Sequence, residues 1–309
     1  MRGIDADRIW FENYGLPMLE KDFADLLPRL AIGVAGRGSD CFGFDDEISR
    51  DHDFCTGFSI WINEEDERVF GLKLTRAYTG LHKNFPPPGN IPPESRLGAP
   101  EHGVCIIPEF FRRHLGIPGV PQCWQEWFYT PEYAFAEAVN GEVFRDDSGV
   151  FSGIRAEICS AVPADVRAKK LAGYAILMAQ SGQYNFTRCL KHGEKGAAML
   201  ALSDFVRYAG MMLFWLKRRF APYYKWMFRA MRQLPENGGI PDMLEELLLP
   251  AGDTQHKAEC IESVCRWFAD ALRQENLTSH DSSYLEPHAF EIMQHIRSRE
   301  IRDLHIMDV

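Results

Sequence analysis

Gly36-Arg37-Gly38-Ser39-Asp40-Cys41-Phe42-Gly43-Phe44-Asp45-Asp46-Glu47-Ile48-Ser49-Arg50-Asp51-His52-Asp53-Phe54 is the stretch on which the reading of this chain turns. The apolar run Leu30 to Ala35 leads into it, and the run Asp53 to Ile62, holding Phe58, Ile60, Trp61 and Ile62, leads out. Two short buried strands are therefore expected, joined by a Gly-Ser turn and a polar excursion of eleven residues between Ser39 and Asp51. Glycine at 36 and 38 lets the backbone turn tightly and bring its N–H groups close to phosphate oxygens, with the Ser39 hydroxyl as a further donor. Asp51 and Asp53, two apart on an extended chain, share one face, while His52 takes the other. Paired carboxylates of this kind suit Mg²⁺ or Mn²⁺ bound together with a triphosphate.

Upstream, Leu19, Phe23, Leu26 and Leu27 recur at helical spacing, with Pro17 suited to a first turn. Downstream, the second strand is expected to end at a turn, Asn63-Glu64-Glu65-Asp66, and a third to cover Val104 to Ile107. The third follows Phe85 to Pro100, a long connection with six prolines and two glycines that reads as a flap or a substrate-facing loop. Gly141 to Phe151 reads as a tight hairpin, with Asp146-Asp147-Ser148-Gly149 between two apolar pairs. Beyond Pro163 the grammar changes. Val166–Gln180, Glu194–Arg218, Tyr223–Leu234, Pro241–Leu248, Gln255–Gln274 and Pro287–Arg302 all show helical periodicity, with Asp165 and Thr254 as candidate caps. The expected fold is α+β: a small mixed sheet with flanking helices over residues 1–160, then an all-α helical bundle over 161–309.

The 309 residues carry a formal net charge of −10, which argues against a broad polyanion-binding surface and disfavours nucleic acid, but permits one basic pocket for a nucleotide. Eight cysteines show neither a CxxC pair nor zinc-finger spacing, so reduced thiols in a cytoplasmic protein are expected. Met1 to Trp10 lacks the apolar core of a secretory signal. The most apolar candidate for a membrane span, Tyr208 to Leu216, stops at Lys217-Arg218-Arg219, so no membrane association is expected.

Gly38, Ser39, Asp51 and Asp53 together resemble the signature of the nucleotidyltransferase superfamily: an apolar strand, Gly-Ser, a short spacer, then Asp-x-Asp before another strand. The strings GRGSDCFGFDDEISRDHDF, GEVFRDDSG, QSGQYNFTRCLKHG and FAPYYKWMFR are similar to an uncharacterised bacterial family, domain of unknown function 4037. The resemblance implies a nucleotidyltransferase-like sheet followed by a helical bundle. It also implies transfer of an NMP group from an NTP to a hydroxyl of a small acceptor, with release of pyrophosphate, and Asp51 and Asp53 as the catalytic metal ligands. One departure stands out. Active members of the superfamily commonly add a third carboxylate from a neighbouring strand, and Val104-Cys105-Ile106-Ile107 contains none, although Glu101 and Glu109 flank it. The alternative is therefore an inactive nucleotide sensor or partner-binding protein.

Other residues are candidates for the nucleotide. Arg50 lies beside the acids, and Arg37 and Ser49 share that neighbourhood, where a local salt bridge is the competing role. Lys225, within Tyr223-Tyr224-Lys225-Trp226, is placed to reach phosphate while its neighbours stack a base; the competing role is a lysine lying along a packed helix. Tyr184, Asn185 and Arg188 follow Gly182 and are expected to line a cleft between the domains, with capping or packing as the rival. The acceptor's general base, the choice of NTP and the oligomeric state have no signature in the sequence.

Overall fold

A computed structural model describes residues 2–46, 56–86, 102–250 and 253–309. Asp51, Asp53, Arg50, Ser49, His52, Cys55, Glu101 and most of the proline-rich stretch lie outside the described residues. The chain divides into two compact units, 1–122 with 133–161, and 123–132 with 162–309. Residues 123–132 thus pack with the helical half, whereas the sequence expectation placed them in the first domain.

The first unit is built on a four-stranded sheet of order β3-β2-β1-β4. Its strands are β1 (Ala31–Val34), β2 (Ser59–Ile62), β3 (Gly103–Ile106) and β4 (Glu142–Asp146). β1 pairs antiparallel with β2 and β4, and β2 pairs parallel with β3. Both central strands are buried along their whole length, which is why they read as continuous apolar runs rather than as alternation. The pleat of β2 divides its side chains between two layers. Ile60 and Ile62 join Trp10, Phe11, Leu19, Phe23, Leu74 and Tyr78 in a core supplied by α1 (Gly3–Trp10), α2 (Leu16–Asp22) and α3 (Glu64–Asn84). Trp61 stacks on Phe151 at 4.0 Å and meets Phe110 edge-on at 5.5 Å, contacts supplied by α4 (Ile107–Leu115) and α7 (Val150–Ser160).

Two turns expected from the sequence are helix starts. Asn63 accepts the Asp66 N–H at 2.8 Å as the N-cap of α3, and the acids after it fill a first helical turn, where the helix dipole favours negative charge. Asp146 ends β4 and its Oδ2 accepts the Ser152 N–H at 2.8 Å, so the chain leaves the expected hairpin position as α7 after the left-handed Gly149. Phe151 is then fully buried against Trp61, a contact that a second hairpin strand would forgo. α5 (Trp124–Tyr129) lies within the 123–132 stretch of the helical unit, and α6 (Glu132–Val139) leads the chain back to the sheet.

The second unit is helical throughout. α8 (Ala164–Met178) passes through a π-helical segment, Ala179–Phe186, into α9 (Thr187–Lys191) without a break. Around it lie α10 (Lys195–Leu216), α11 (Tyr224–Arg232), α12 (Ile240–Leu248), α13 (Thr254–Gln274), α14 (Leu285–His295) and the short α15 (Arg299–Arg302). The expected helix Pro287–Arg302 is two, separated at Ile296–Ser298, where Ser298 caps α15 and its own N–H donates to Asp165 Oδ2. Asp165 is therefore not the cap of α8, a position held by Pro163, and Asp253 rather than Thr254 caps α13. α10 is long and apolar enough to cross a membrane by length and composition, but half of its most apolar window is buried inside the unit. Gly210 of α10 faces Met227 and Met231 of α11, whose side chains a Cβ there would meet at 3.1–3.4 Å.

Glu132 knits residues 123–132 into this unit. Its Oε1 accepts from Lys170 Nζ, Tyr174 OH and Trp215 Nε1, each at 3.1 Å, and all four residues are buried. Burial and the adjacent carboxylate push the Tyr174 phenol well above its ordinary value, so it serves here as a donor.

Candidate functional site

The turn after β1 is fixed from a distance of about a hundred residues in sequence. Asn140 Oδ1 accepts the Gly36 N–H at 2.9 Å, and Asn140 Nδ2 donates to the Gly36 carbonyl at 2.7 Å, so one side chain holds both polar groups of one glycine. Gly141 N–H donates to the Cys41 carbonyl at 2.7 Å. Gly141 has φ +71, and a Cβ there would sit 1.9 Å from the Val34 carbonyl oxygen, so only glycine permits this approach. Arg155 of α7 in turn donates to the Val139 carbonyl at 2.9 Å and to that of Asn140. β1, the 139–141 turn and α7 thereby brace the Gly36–Cys41 loop.

Within that loop the backbone doubles back. Phe42 and Phe44 N–H groups both donate to the Ser39 carbonyl, at 3.2 and 2.8 Å. Asp40 folds over Gly38: its Oδ1 accepts the Cys41 N–H at 2.9 Å and lies where a Cβ on Gly38 would be, 1.9 Å away. Gly38 and Ser39 are partly exposed, as a ligand-binding turn requires, while Cys41 is buried and its thiol is pushed up by burial and by the neighbouring Asp40 and Asp7, which makes it unreactive. Arg37 is half exposed at the loop rim. It pairs with Glu137 of α6 at 3.6 Å rather than with Asp40 or Asp46, and the same Glu137 oxygen meets His114 Nδ1 at 3.4 Å.

A second set of groups lies where the chain approaches β2. Asp7 of α1 is 1% exposed, and its Oδ1 accepts the Gly57 N–H at 3.0 Å. Phe58 N–H donates to Tyr78 OH at 3.3 Å, and a Cβ on Gly57 would meet the His102 ring at 2.8 Å. Burial first, then the charges of Asp40 and Asp45, push the Asp7 carboxyl up to about 8 against the bond from Gly57, so it carries a proton at neutral pH. Asp7 Oδ2, Asp45 Oδ1 and Thr56 Oγ1 are buried with no hydrogen-bond partner among the described residues.

These two sets are what the described residues offer around Gly38 and Ser39, and they include Asn140, Gly141 and Asp7, to which the sequence reading assigned no role in the site. Asn140-Gly141 is a turn signal in its own right; nothing local marks Asp7. Asp51, Asp53 and Arg50 fall outside the described residues, and among those described no three His, Cys, Asp or Glu side chains gather as a metal site. Asp45 Oδ1 and Thr56 Oγ1, on the two sides of 47–55 in the sequence and without a partner among the described residues, are oxygens of the kind a hard divalent cation takes. Glu109 is half exposed in the first turn of α4, paired with Arg112 at 3.6 Å, and β3 itself carries no acid.

The remaining candidates are in the second unit. Arg188 donates to Tyr184 OH at 2.9 Å and lies over its ring, and Lys225 lies 5.0 Å from the ring of Trp226. Tyr184 and Asn185 belong to the π-helical segment, a feature that often accompanies functional sites. A cavity of about 410 Å³ in this unit is lined by Gly182, Gln183, Thr187, Glu259, Glu262 and Arg266 among others, but not by Tyr184, Asn185, Arg188 or Lys225.

Residues 127–227 match the family model described as Domain of unknown function (DUF4037). The match takes in Glu132, Asn140, Gly141, Tyr184, Arg188 and Lys225, and leaves Gly36–Asp53 outside it. No curated protein matches the chain. The crystal structure of a nucleotidyltransferase-like protein from Exiguobacterium sibiricum is similar over 90% of this chain and 79% of that one, with 8% identity and a TM-score of 0.38. That likeness is too remote to carry an argument about the site.

Proposed function

We propose that the chain is a metal-dependent nucleotidyltransferase that moves an NMP group from an NTP to a hydroxyl of a small-molecule acceptor and releases pyrophosphate. The observation that carries this reading is the Gly36–Ser39 turn at the end of β1, braced by Asn140 and Gly141 and followed in the sequence by Asp51-His52-Asp53. Gly38 and Ser39 would present donors to the phosphates, Arg50 would add charge beside them, and Asp51 and Asp53 would hold Mg²⁺ or Mn²⁺. A bound divalent cation supplies neutralisation of the phosphate charge that builds up during transfer. Lys225, Arg188, Tyr184 and Asn185, in the helical half, are the further residues proposed to bind the nucleotide, Lys225 and Arg188 by neutralising the triphosphate. The acceptor oxygen forms its bond to the α-phosphorus as the bond from that phosphorus to the pyrophosphate oxygen breaks, and the hydroxyl proton leaves to a base not yet assigned.

The test is pyrophosphate release with each of four NTPs, Mg²⁺ and a panel of hydroxyl acceptors. Asp51→Asn and Asp53→Asn are expected to lower turnover at least ~100-fold, the scale of losing a transition-state charge stabiliser, with an unchanged unfolding midpoint. Turnover that survives both substitutions removes the assignment. The lack of an acid on β3 favours one second reading, a nucleotide sensor without catalysis. Calorimetry showing Mg²⁺·NTP binding, with no pyrophosphate released across the panel, would select it.

A further inference from the structure

The cavity of about 410 Å³ in the helical unit has the size of a small-molecule site, and the proposed transfer makes no use of it. One wall is the π-helical segment Ala179–Phe186 with Thr187 after it, and the other is a face of α13. Glu259, Glu262 and Arg266 follow one another on α13 at spacings of three and four residues, so they share that face, while Val264, Cys265 and Phe268 turn into the core. Glycine is required at 182, because a Cβ there would meet the Phe205 ring of α10 at 2.3 Å. The segment presents Gln183 and Thr187 to the cavity, whereas Tyr184 and Arg188 are bonded to each other and do not line it.

The polar lining is fixed on one side and unspent on the other. Gln183 Nε2 donates to Glu262 Oε2 at 2.9 Å and to the Ser283 carbonyl at 3.1 Å, and its Oε1 accepts the Leu285 N–H at 3.0 Å. Gln183 is thus a rigid part of the wall, and it holds one oxygen of Glu262. Gln255 Nε2 does the same for Glu259, donating to Oε1 at 2.7 Å. Each carboxylate keeps a second oxygen, Glu259 Oε2 and Glu262 Oε1, that accepts no hydrogen bond among the described residues. Arg266 stands four residues after Glu262, at the spacing where helical ion pairs form, yet among the described residues it makes neither an ion pair nor a hydrogen bond. The Thr187 hydroxyl is likewise without a hydrogen bond among them.

Two carboxylate oxygens ready to accept, together with a guanidinium and a hydroxyl ready to donate, match a ligand that carries both an ammonium and a carboxylate. We propose that this cavity binds a free α-amino acid, with its ammonium on Glu259 and Glu262 and its carboxylate on Arg266, whose planar fork suits a carboxylate by two parallel bonds. Thr187 is the second donor, and Ala258 and Ile261 are the apolar part of the lining. Other ligand classes fit less well. A polyphosphate would meet two like charges, a polyamine would meet Arg266, and an apolar ligand would leave the polar groups unmatched. The site is independent of the nucleotidyltransferase reading and does not need it to hold.

The experiment is isothermal titration calorimetry of the full chain with the standard L-amino acids, one at a time. Each amino acid that binds is compared with its N-acetyl derivative, which lacks the ammonium, and with its carboxamide, which lacks the carboxylate. At least one amino acid should bind with a Kd below about 1 mM, and both of its derivatives at least ~10-fold more weakly. Arg266→Gln should weaken the amino acid at least ~10-fold and erase its advantage over the carboxamide, and Glu259→Gln should erase its advantage over the N-acetyl derivative, as expected if the two charges are read separately. Both residues are exposed, so both variants should fold, and either one carries the test without the other. The proposal is overturned if no amino acid reaches that affinity, if either derivative binds as tightly as the amino acid it was made from, or if the substituted chains bind within ~3-fold of the unsubstituted one.

Discussion

At the scale of single residues, Asp7 sets a pH dependence that can be worked out in sign. Its carboxyl is pushed up to about 8 in the folded chain from an ordinary value near 3.8, so between those limits the folded state holds a proton that the unfolded state has released. Stability therefore falls as pH rises through that window, by at most about 1.4 kcal/mol per pH unit from this group. Urea unfolding of Asp7→Asn between pH 5 and 8.5 is expected to lack this decline, so that the variant gains on the parent as the solution becomes more alkaline; parallel curves would show that Asp7 ionises freely. Asn140 allows a second prediction at this scale. Asn140→Ala removes both bonds to Gly36 and should cost about 2 kcal/mol, near 1 for each hydrogen bond, read as a lower urea midpoint at unchanged slope.

At the scale of elements, α3 tests the reading of its own start. Asn63→Ala removes the side-chain acceptor for the Asp66 N–H and should destabilise the chain by about 1 kcal/mol, whereas Asn63→Ser, which keeps a capping oxygen, should lose less; equal stability of all three in urea would deny the cap its role. Asn63-Glu64-Glu65-Asp66 also shows why some of the fold was legible and some was not. A cap followed by acids is the signature of a helix N-terminus, but the same residue types populate turns, and only the apolar spacing Leu74-Tyr78-Leu81 that follows decides between them. Val150-Phe151 failed in the same way, because a β-prone pair after Asp-Ser-Gly fits a hairpin until Trp61 supplies a stacking partner. β1, β3 and five of the six helical runs after Pro163 were readable because their apolar patterns are local, whereas Pro287–Arg302 proved to be two helices. The turn at Gly38-Ser39 was readable for the same reason. Its brace was not, since Asn140 and Arg155 meet it only through tertiary structure, and Asp7 is one acid among several in a polar amino-terminal helix.

At the scale of the whole molecule, the order in which the chain visits its two units matters. Residues 123–132 belong to the helical unit, 133–161 return to the sheet, and only then does the remainder of the bundle follow. Glu132 is the point at which this excursion is secured, and its partners lie 38, 42 and 83 residues further on. Glu132→Ala would leave Lys170 buried beside two donors that have lost their acceptor, with an expected loss of about 3–5 kcal/mol, while Glu132→Gln keeps an acceptor oxygen and should lose less. Thermal and urea unfolding of both variants would check this, and equal stability of the two would show that the oxygen at this position does not matter. The interleaved path also bears on how such a protein can be taken apart or recombined. A single cut after residue 161 does not separate two cassettes, because the carboxy-terminal fragment leaves its first helix behind on the other piece. Gene fusions or truncations that treat the halves as interchangeable blocks would need two junctions, and a nascent bundle must draw on a stretch synthesised before the sheet unit itself is finished.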